Sequence, residues 1–305
     1  MNWLRMTGAV FGFLVLFGGS ALFSHPVDDP LIRPIEPEAA KRWLGPQVPL
    51  RVYGNSYLVG FSKLSVALIR TDAGLILIDA GVPQGVPSVE ANIRKLGFRV
   101  QDVKLILSTE PHFDHAGGLA ALARDSGATV VASAPAAVGL RSGNVTEGDP
   151  QAGWFVSFPG VARLRTVRDG EAIRLGNTVI TARATPGHTR GSMSWTWRSC
   201  ESGKCLNMVF GSSLNAVAAD GWHFSDPAHA GTVATFRQSF ARVRALPCDV
   251  LITAHPDNSG GDVKAARFRK ASKPNPFIDP AACRAYADRA EAALDEKMAA
   301  ESSAR

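Results

Sequence analysis

The chain has 305 residues, of which 46% are hydrophobic and 20% charged, and its formal net charge is +6 at pH 7. This composition excludes a collagen-like, repetitive or disordered protein and allows a sizeable core in one or two domains. No arginine cluster with interleaved aromatic residues is present, so we expect no nucleic-acid partner and interpret the basic groups at 163–168 and 264–270 as solvated faces.

The first two dozen residues differ in character from the rest. Arg5 precedes an apolar run at 9–17, and small residues follow at 18–21. This pattern predicts a secretory signal peptide over 1–24, because its apolar core is too short to be a good membrane span. We therefore expect a single domain over 25–305, exported to the periplasm. A retained membrane anchor is the alternative.

The first half of the remaining chain predicts strands before helices. Residues 25–48 are rich in proline and predict an extended arm with one short helix near 38–44. Alternating apolar residues between turn signals predict strands at 50–54, 57–61, 65–70, 75–79, 104–107 and 129–132. Helices are predicted at 86–96 and 117–125. A strand, helix, strand unit of this kind is typical of sheets flanked by helices.

The second half repeats this pattern after a glycine-rich loop at 143–160. Strands are predicted at 172–174, 179–182, 192–197, 207–210 and 249–253. Helices are predicted at 232–246 and 280–298, and Phe236, Phe240 and Val243 are spaced to form one buried helix face. Two mixed β-sheets with helices outside each, a four-layer αββα sandwich, is the simplest arrangement of these elements.

Four potential metal ligands fall within six residues, directly after the predicted strand 104–107. Glu110, His112, Asp114 and His115 offer the nitrogen and oxygen donors that Zn²⁺ accepts. Alternate residues of an extended segment point the same way, and the glycine turn that follows would bring His115 beside the others. One tetrahedral zinc cannot readily use all four together with more distant partners, so the cluster favours two metals.

Two further histidines occupy the same kind of position. His188 follows the strand at 179–182, and His255 follows the strand at 249–253. Sites in α/β folds gather at such strand ends, so three strand ends that deliver ligand-type residues indicate one shared site. His25, His223 and His229 have no such setting, and we interpret them as surface or loop residues.

The four cysteines can pair in an oxidising compartment. Three pairings are possible, and the sequence order favours Cys200 with Cys205 and Cys248 with Cys283. The second disulfide closes the longer loop, and the chain-entropy model gives it about 3–4 kcal/mol of stabilisation. A cysteine metal site is less favoured because no close CxxC pair is present.

The segments 110–118 (EPHFDHAGG), 185–189 (TPGHT) and 254–256 (AHP) resemble the metallo-β-lactamase superfamily. The resemblance extends over nearly the whole mature chain, including 54–60 and 77–81. Through 210–215 and 246–249 it is most like the third subclass of class B β-lactamases.

The resemblance implies the αββα fold and a site for two zinc ions. The matching ligands are His112 and His188 for the first zinc, and Asp114, His115 and His255 for the second. Position 110 departs from the family pattern, because HxHxDH is here ExHxDH. We expect Glu110 to be the remaining ligand of the first zinc. The alternative is an acidic residue beside an empty or weak first site.

The activity implied by the resemblance is hydrolysis of the ring amide of penicillins, cephalosporins and carbapenems by a metal-bound hydroxide. Zinc lowers the pKa of bound water to about 7, and the residual positive charge suits a small anionic substrate. Asp114 is expected to orient the nucleophile. Ser213 and Asn215 match positions that contact metal-bound water and the substrate carboxylate, although a serine here could be a turn residue alone. Trp154, Phe155 and Phe158 form either an apolar lid or local packing, and we expect a monomer.

Two other functions fit the same ligands. Thioesterases and lactonases of the superfamily carry a metal-bridging aspartate in a Gly-Asp pair, whereas this chain has Gly211-Ser212. That difference, with export and two disulfides, favours β-lactam hydrolysis. A non-enzymatic periplasmic zinc binder is the other alternative, but six ligands at an open edge argue against a closed structural site.

Overall fold

The computed structural model describes residues 28–154 and 156–303. The predicted signal peptide, His25 and Phe155 lie outside the described residues. Within the described ranges, no helix combines the length and the apolar character needed to cross a membrane.

The twelve strands of the described residues form two mixed sheets. The first sheet follows chain order: β1 (Leu50–Tyr53), β2 (Ser56–Leu58), β3 (Ala67–Thr71), β4 (Gly74–Ile78), β5 (Val103–Leu107), β6 (Thr129–Ser133) and β7 (Leu164–Val167). The second sheet has the order β12 (Val250–Thr253), β11 (Lys204–Gly211), β10 (Met193–Glu201), β9 (Thr178–Ala184) and β8 (Ala172–Leu175). Strands β4 to β7 run parallel, as do β11 and β12, and the other neighbours are antiparallel.

Helices cover the outer face of each sheet. The helices are α1 (Pro37–Ala40), α2 (Val86–Lys95), α3 (Phe113–Ala116), α4 (Leu119–Ser126), α5 (Ala134–Ser142), α6 (Ala230–Arg244), α7 (Gly261–Lys270) and α8 (Ala282–Ser303). Residues of α2, α4 and α5 pack on the first sheet, and residues of α6 and α8 pack on the second. The predicted αββα sandwich of two mixed sheets is confirmed.

The strand pattern explains the layers. Ile76 and Ile78 of β4 pack between the two sheets, whereas Leu75 and Leu77 pack against the outer helices. Successive side chains of a strand point to opposite faces, so a strand that is apolar at every position is buried on both sides. Each such side chain contributes about 1.5–3 kcal/mol when it is fully buried.

Both disulfides form as predicted, between Cys200 and Cys205 and between Cys248 and Cys283. The predicted helix 117–125 corresponds to α4, which begins at Leu119 after two glycines, and the short helix α3 before those glycines was not predicted. Helices α5 and α7 and strand β7 were not predicted. Only Val167 is buried in β7 and only Ala265 in α7, so neither segment shows the apolar period that would reveal it.

Candidate metal centre

The ends of several strands meet at one edge of the sandwich. The chain leaves β5 to reach Glu110 and His112, leaves β9 to reach His188, and leaves β12 to reach His255. Backbone hydrogen bonds tie these loops together, since Met193 N donates to Thr109 O at 2.8 Å and Ser65 N donates to Ala254 O at 2.9 Å. Parallel strands place their carboxyl ends on the same side, so the strand-end histidines meet there.

The six predicted ligands form two groups of three. The first group is Glu110, His112 and His188, and the second group is Asp114, His115 and His255. Within each group the potential donor atoms all lie within 4.8 Å of one another. Each group therefore offers two imidazoles and one carboxylate, a donor set that zinc accepts.

The second group has the dimensions of a tetrahedral zinc site. His115 Nε2 lies 3.1 Å from His255 Nε2 and 3.3 Å from Asp114 Oδ2, and the distance from His255 Nε2 to Asp114 Oδ2 is also 3.3 Å. Donors at about 2.0–2.1 Å from a tetrahedral zinc are separated by about 3.3 Å. The second group thus fits zinc without rearrangement.

Glu110 lies between the two groups. Its Oε1 atom is 3.9 Å from His188 Nε2 in its own group and 3.2 Å from His115 Nε2 in the other. The side chain is fully buried. Burial raises the pKa of Glu110, but the three nearby histidines and the Ser213 hydroxyl outweigh it, so the pKa lies below its ordinary value. The carboxylate is therefore ionised at neutral pH, as a metal ligand must be.

Hydrogen bonds orient the two histidines of the first group. His112 Nε2 lies 3.0 Å from Asp149 Oδ2, and His188 Nδ1 lies 2.8 Å from the carbonyl oxygen of Asn215. A bond of this kind fixes the tautomer and leaves the other ring nitrogen to bind a metal. The Gln151 amide lies 3.2 Å from that other nitrogen of His188.

Charges in the second group also suit a metal. Burial raises the pKa of Asp114, but His115 and His255 outweigh it and hold this pKa well below its ordinary value. Burial lowers the pKa of His115 to about 4. Burial also lowers the pKa of His255, but Asp114 more than offsets that effect and the net shift is upward. Metal binding at this group therefore displaces a proton from His255 when that ring is protonated.

Asp79 stabilises the position of the loop that carries Glu110. It follows β4 with φ at +62°, in the left-handed region, and its Oδ2 lies 3.7 Å from His115 Nδ1. Its two oxygens accept hydrogen bonds from the backbone N–H and the hydroxyl of Thr109, each at 2.7 Å. Asp79 thus joins the end of β4 to the loop that carries Glu110. Burial raises the pKa of Asp79 well above its ordinary value.

The two groups open into a cavity of about 530 Å³. Its wall includes Asn215 and Trp154, together with Arg42 and Trp43 of the N-terminal arm, residues 28–48. A volume of this size suits a small-molecule ligand. The Arg42 guanidinium lies 4.2 Å above the Trp43 ring, which gives the wall one positive charge on an aromatic support.

The two described aromatic residues of loop 143–160, Trp154 and Phe158, have different surroundings. Trp154 is 52% exposed and lines the cavity, whereas Phe158 is buried among the core residues of the first sheet and its outer helices. Phe158 is therefore packing and not a lid. His223 lies in an exposed loop, whereas the half-buried His229 ends a short 3-10 helix, Pro227–His229, and stacks on Trp222.

Sequence reasoning missed several residues of the site, namely Asp79, Asp149, Gln151, Arg42 and Trp43. Asp149 stands between a glycine and a proline, which is the pattern of an ordinary turn residue. Arg42 and Trp43 lie in the proline-rich arm, which gives no sign of where it packs. Ser213 and Asn215 differ in their surroundings, because Asn215 lines the cavity whereas Ser213 is buried against Glu110.

Comparison with known proteins gives one family. Residues 59–201 match the model of the metallo-beta-lactamase superfamily. A solved B3 metallo-beta-lactamase with an active-site glutamic acid is 52% identical, with 90% of this chain and 98% of that chain covered and a TM-score of 0.83. MEM-A1, a subclass B3 metallo-beta-lactamase from a soil metagenome library, is 47% identical, with 86% of this chain and 100% of that chain covered and a TM-score of 0.83.

A curated relative is more distant. The acyl-coenzyme A thioesterase MBLAC2 of Gallus gallus is 30% identical over 152 residues, which are 43% of this chain. The match spans about half of that relative, 52% of its length.

Proposed function

The chain belongs to the metallo-beta-lactamase superfamily, and from this premise we propose that it is a zinc-dependent β-lactamase that hydrolyses the ring amide of penicillins, cephalosporins and carbapenems. The observation that carries the proposal is the pair of three-donor groups, with Glu110 in the first group, because four of their six members line one cavity. Solved relatives that match most of their length and carry this activity in their names support it.

The two groups would hold two zinc ions, the first through Glu110, His112 and His188. Zinc bound there supplies a Lewis acid and lowers the pKa of water to about 7. The ligands are already aimed, because Asp149 and the Asn215 carbonyl hold the two histidines of the first group. Such preorganisation avoids reorientation of the ligands during the reaction.

Asp114 orients the nucleophile in this proposal. It is buried, its low pKa keeps it ionised, and it lies at the cavity wall. There its carboxylate would accept a hydrogen bond from the attacking water. No protein nucleophile and no covalent enzyme intermediate are needed.

The substrate carboxylate is recognised on the cavity wall. Asn215 lines the cavity, and its side-chain amide N–H groups can donate to a carboxylate. Arg42 also lines the cavity and adds a positive charge to its wall. Two Zn²⁺ ions with ionised Glu110 and Asp114 leave a net charge of about +2 at the site, which also favours an anion.

We also propose that the protein works in the periplasm as a monomer. The signal-like pattern at 1–24 and the two disulfides support export, because disulfides persist in oxidising compartments. All six candidate ligands come from one chain, so a second copy is not needed to complete the site.

Metal content and hydrolysis test the proposal together. We expect two zinc ions per mature chain, carbapenem and penicillin hydrolysis that a chelator abolishes, and recovery on zinc addition. Bound zinc without hydrolysis of any lactam or ester would indicate a zinc-binding protein. Hydrolysis restricted to thioesters would indicate the thioesterase alternative, although no carboxylate stands at Gly211-Ser212 to bridge the metals.

A further inference from the structure

Ser213 donates hydrogen bonds to both carboxylate oxygens of Glu110. Its hydroxyl donates to Glu110 Oε1 at 2.6 Å, and its backbone N–H donates to Oε2 at 3.2 Å. Both residues are buried, with 0% of Glu110 and 1% of Ser213 exposed. A serine hydroxyl has one proton, so the proton given to Glu110 cannot also be given to a substrate.

The position of Ser213 is itself held by a buried tyrosine. The Tyr286 hydroxyl of α8 donates to Ser212 O at 2.9 Å and accepts from Leu214 N at 3.0 Å. Tyr286 thus bonds to the residues on both sides of Ser213. These two hydrogen bonds fix the position of the Ser213 backbone N–H. They therefore also fix the direction from which Ser213 binds the Glu110 carboxylate.

A carboxylate at position 110 needs the two hydrogen bonds from Ser213 more than an imidazole would. The glutamate side chain has three rotatable bonds, and its Oε1 atom lies 3.2 Å from His115 Nε2 and 3.9 Å from His188 Nε2, so a small rotation decides which group receives the oxygen. The Ser213 hydroxyl is directed at the buried Oε1 of Glu110, and the described residues that line the cavity include Asn215 but not Ser213.

We propose that Ser213 is a positioning residue for Glu110 and does not contact substrate. By holding the Glu110 carboxylate in place, Ser213 sets the metal affinity of the first group. This proposal rests on the proposed function only in taking Glu110 as a metal ligand. It replaces the substrate contact that the family resemblance implies for Ser213.

Zinc affinity in two backgrounds tests the proposal. In the mature protein, Ser213→Ala is expected to weaken first-site zinc binding by about 10-fold to 100-fold, as measured by chelator competition, and to leave second-site binding within about twofold. In a Glu110→His background the same substitution is expected to change first-site binding by less than about twofold. With zinc saturating, the KM for an anionic β-lactam is expected to stay unchanged in Ser213→Ala.

Two further variants guard against misfolding. Ser199→Ala removes an equally buried hydroxyl at the far end of β10 and is expected to leave both zinc constants unchanged. Tyr286→Phe removes the two hydrogen bonds of the tyrosine hydroxyl but keeps the Ser213 hydroxyl. It is expected to weaken zinc binding at the first site severalfold, and only when Glu110 is present.

The competing outcomes are distinct. An equal loss of zinc affinity in both backgrounds, or a raised KM with unchanged zinc affinity, would overturn the positioning role. If the protein bound zinc as expected but hydrolysed no β-lactam, the proposed function would fail while the zinc measurements would still decide the role of Ser213.

Discussion

Replacing Asp149 with alanine perturbs the first group through the contact of Asp149 with His112. The substitution removes the carboxylate that lies 3.0 Å from His112 Nε2, in a place where both side chains are buried. It also removes the acceptor of the Gln151 backbone N–H, which lies 2.9 Å from Asp149 Oδ1. No proposed zinc ligand is changed.

The expected cost falls on metal binding. Loss of the carboxylate behind a ligating histidine lowers metal affinity or activity by about 10-fold to 100-fold, which corresponds to about 1.4–2.7 kcal/mol. The side-chain hydrogen bonds of Asp149 go to His112 and Gln151, so the effect is expected at the first site and not at the second.

The assay is zinc binding by chelator competition, with β-lactam hydrolysis measured against free zinc. Hydrolysis by Asp149→Ala is expected to need about 10-fold to 100-fold more zinc and to recover when zinc saturates the site. Asp257→Ala is the control, because it removes one negative charge from the cavity rim, where that side chain is 51% exposed. Its zinc dependence is expected to match the parent.

The reasoning would be refuted by a first-site zinc affinity of Asp149→Ala within twofold of the parent protein. It would also be refuted by an equal loss in Asp257→Ala, since a general charge effect would then explain both. Thermal unfolding of the zinc-free proteins separates a local effect from loss of the fold.

The remaining predictions concern three other features. Glu110→His is expected to bind first-site zinc more tightly with hydrolysis kept or raised, and unchanged zinc affinity would count against Glu110 as a ligand. Loss of the disulfide between Cys248 and Cys283 is expected to lower the free energy of unfolding by about 3–4 kcal/mol, and loss of the disulfide between Cys200 and Cys205 by about 2 kcal/mol. The difference arises because the two loops span 35 and 5 residues. The reverse order in urea titrations would contradict this. Arg42→Ala is expected to raise KM for anionic β-lactams up to about fivefold with kcat retained, and an effect that did not shrink as salt increased would argue against a charge contact.

Much of the fold follows from local patterns. Strand β4 reads as a continuous apolar run bounded by a turn, and it lies in the middle of the first sheet, buried on both faces. The same reasoning failed for β7, because its exposed Arg165 and Thr166 leave only Val167 buried. Edge strands and surface helices carry little apolar period, so the sequence does not reveal them.

The candidate site was predictable as a set of donors. Glu110, His112 and His188 stand where strands end, and strand ends converge whichever way the helices pack. What each donor touches was not predictable. Asp149 is one acidic residue in a glycine-rich loop, and Ser213 is one serine after a strand.

The sequence by itself determined which donors exist and that they lie at strand ends, because alternation along a strand and the turn after it depend only on neighbouring residues. Only the tertiary structure decided that Glu110 lies between the two groups and that its oxygens are bound by Ser213, 103 residues away. Such contacts depend on how the two sheets pack across their shared core, and that packing is a sum over many side chains distant in sequence.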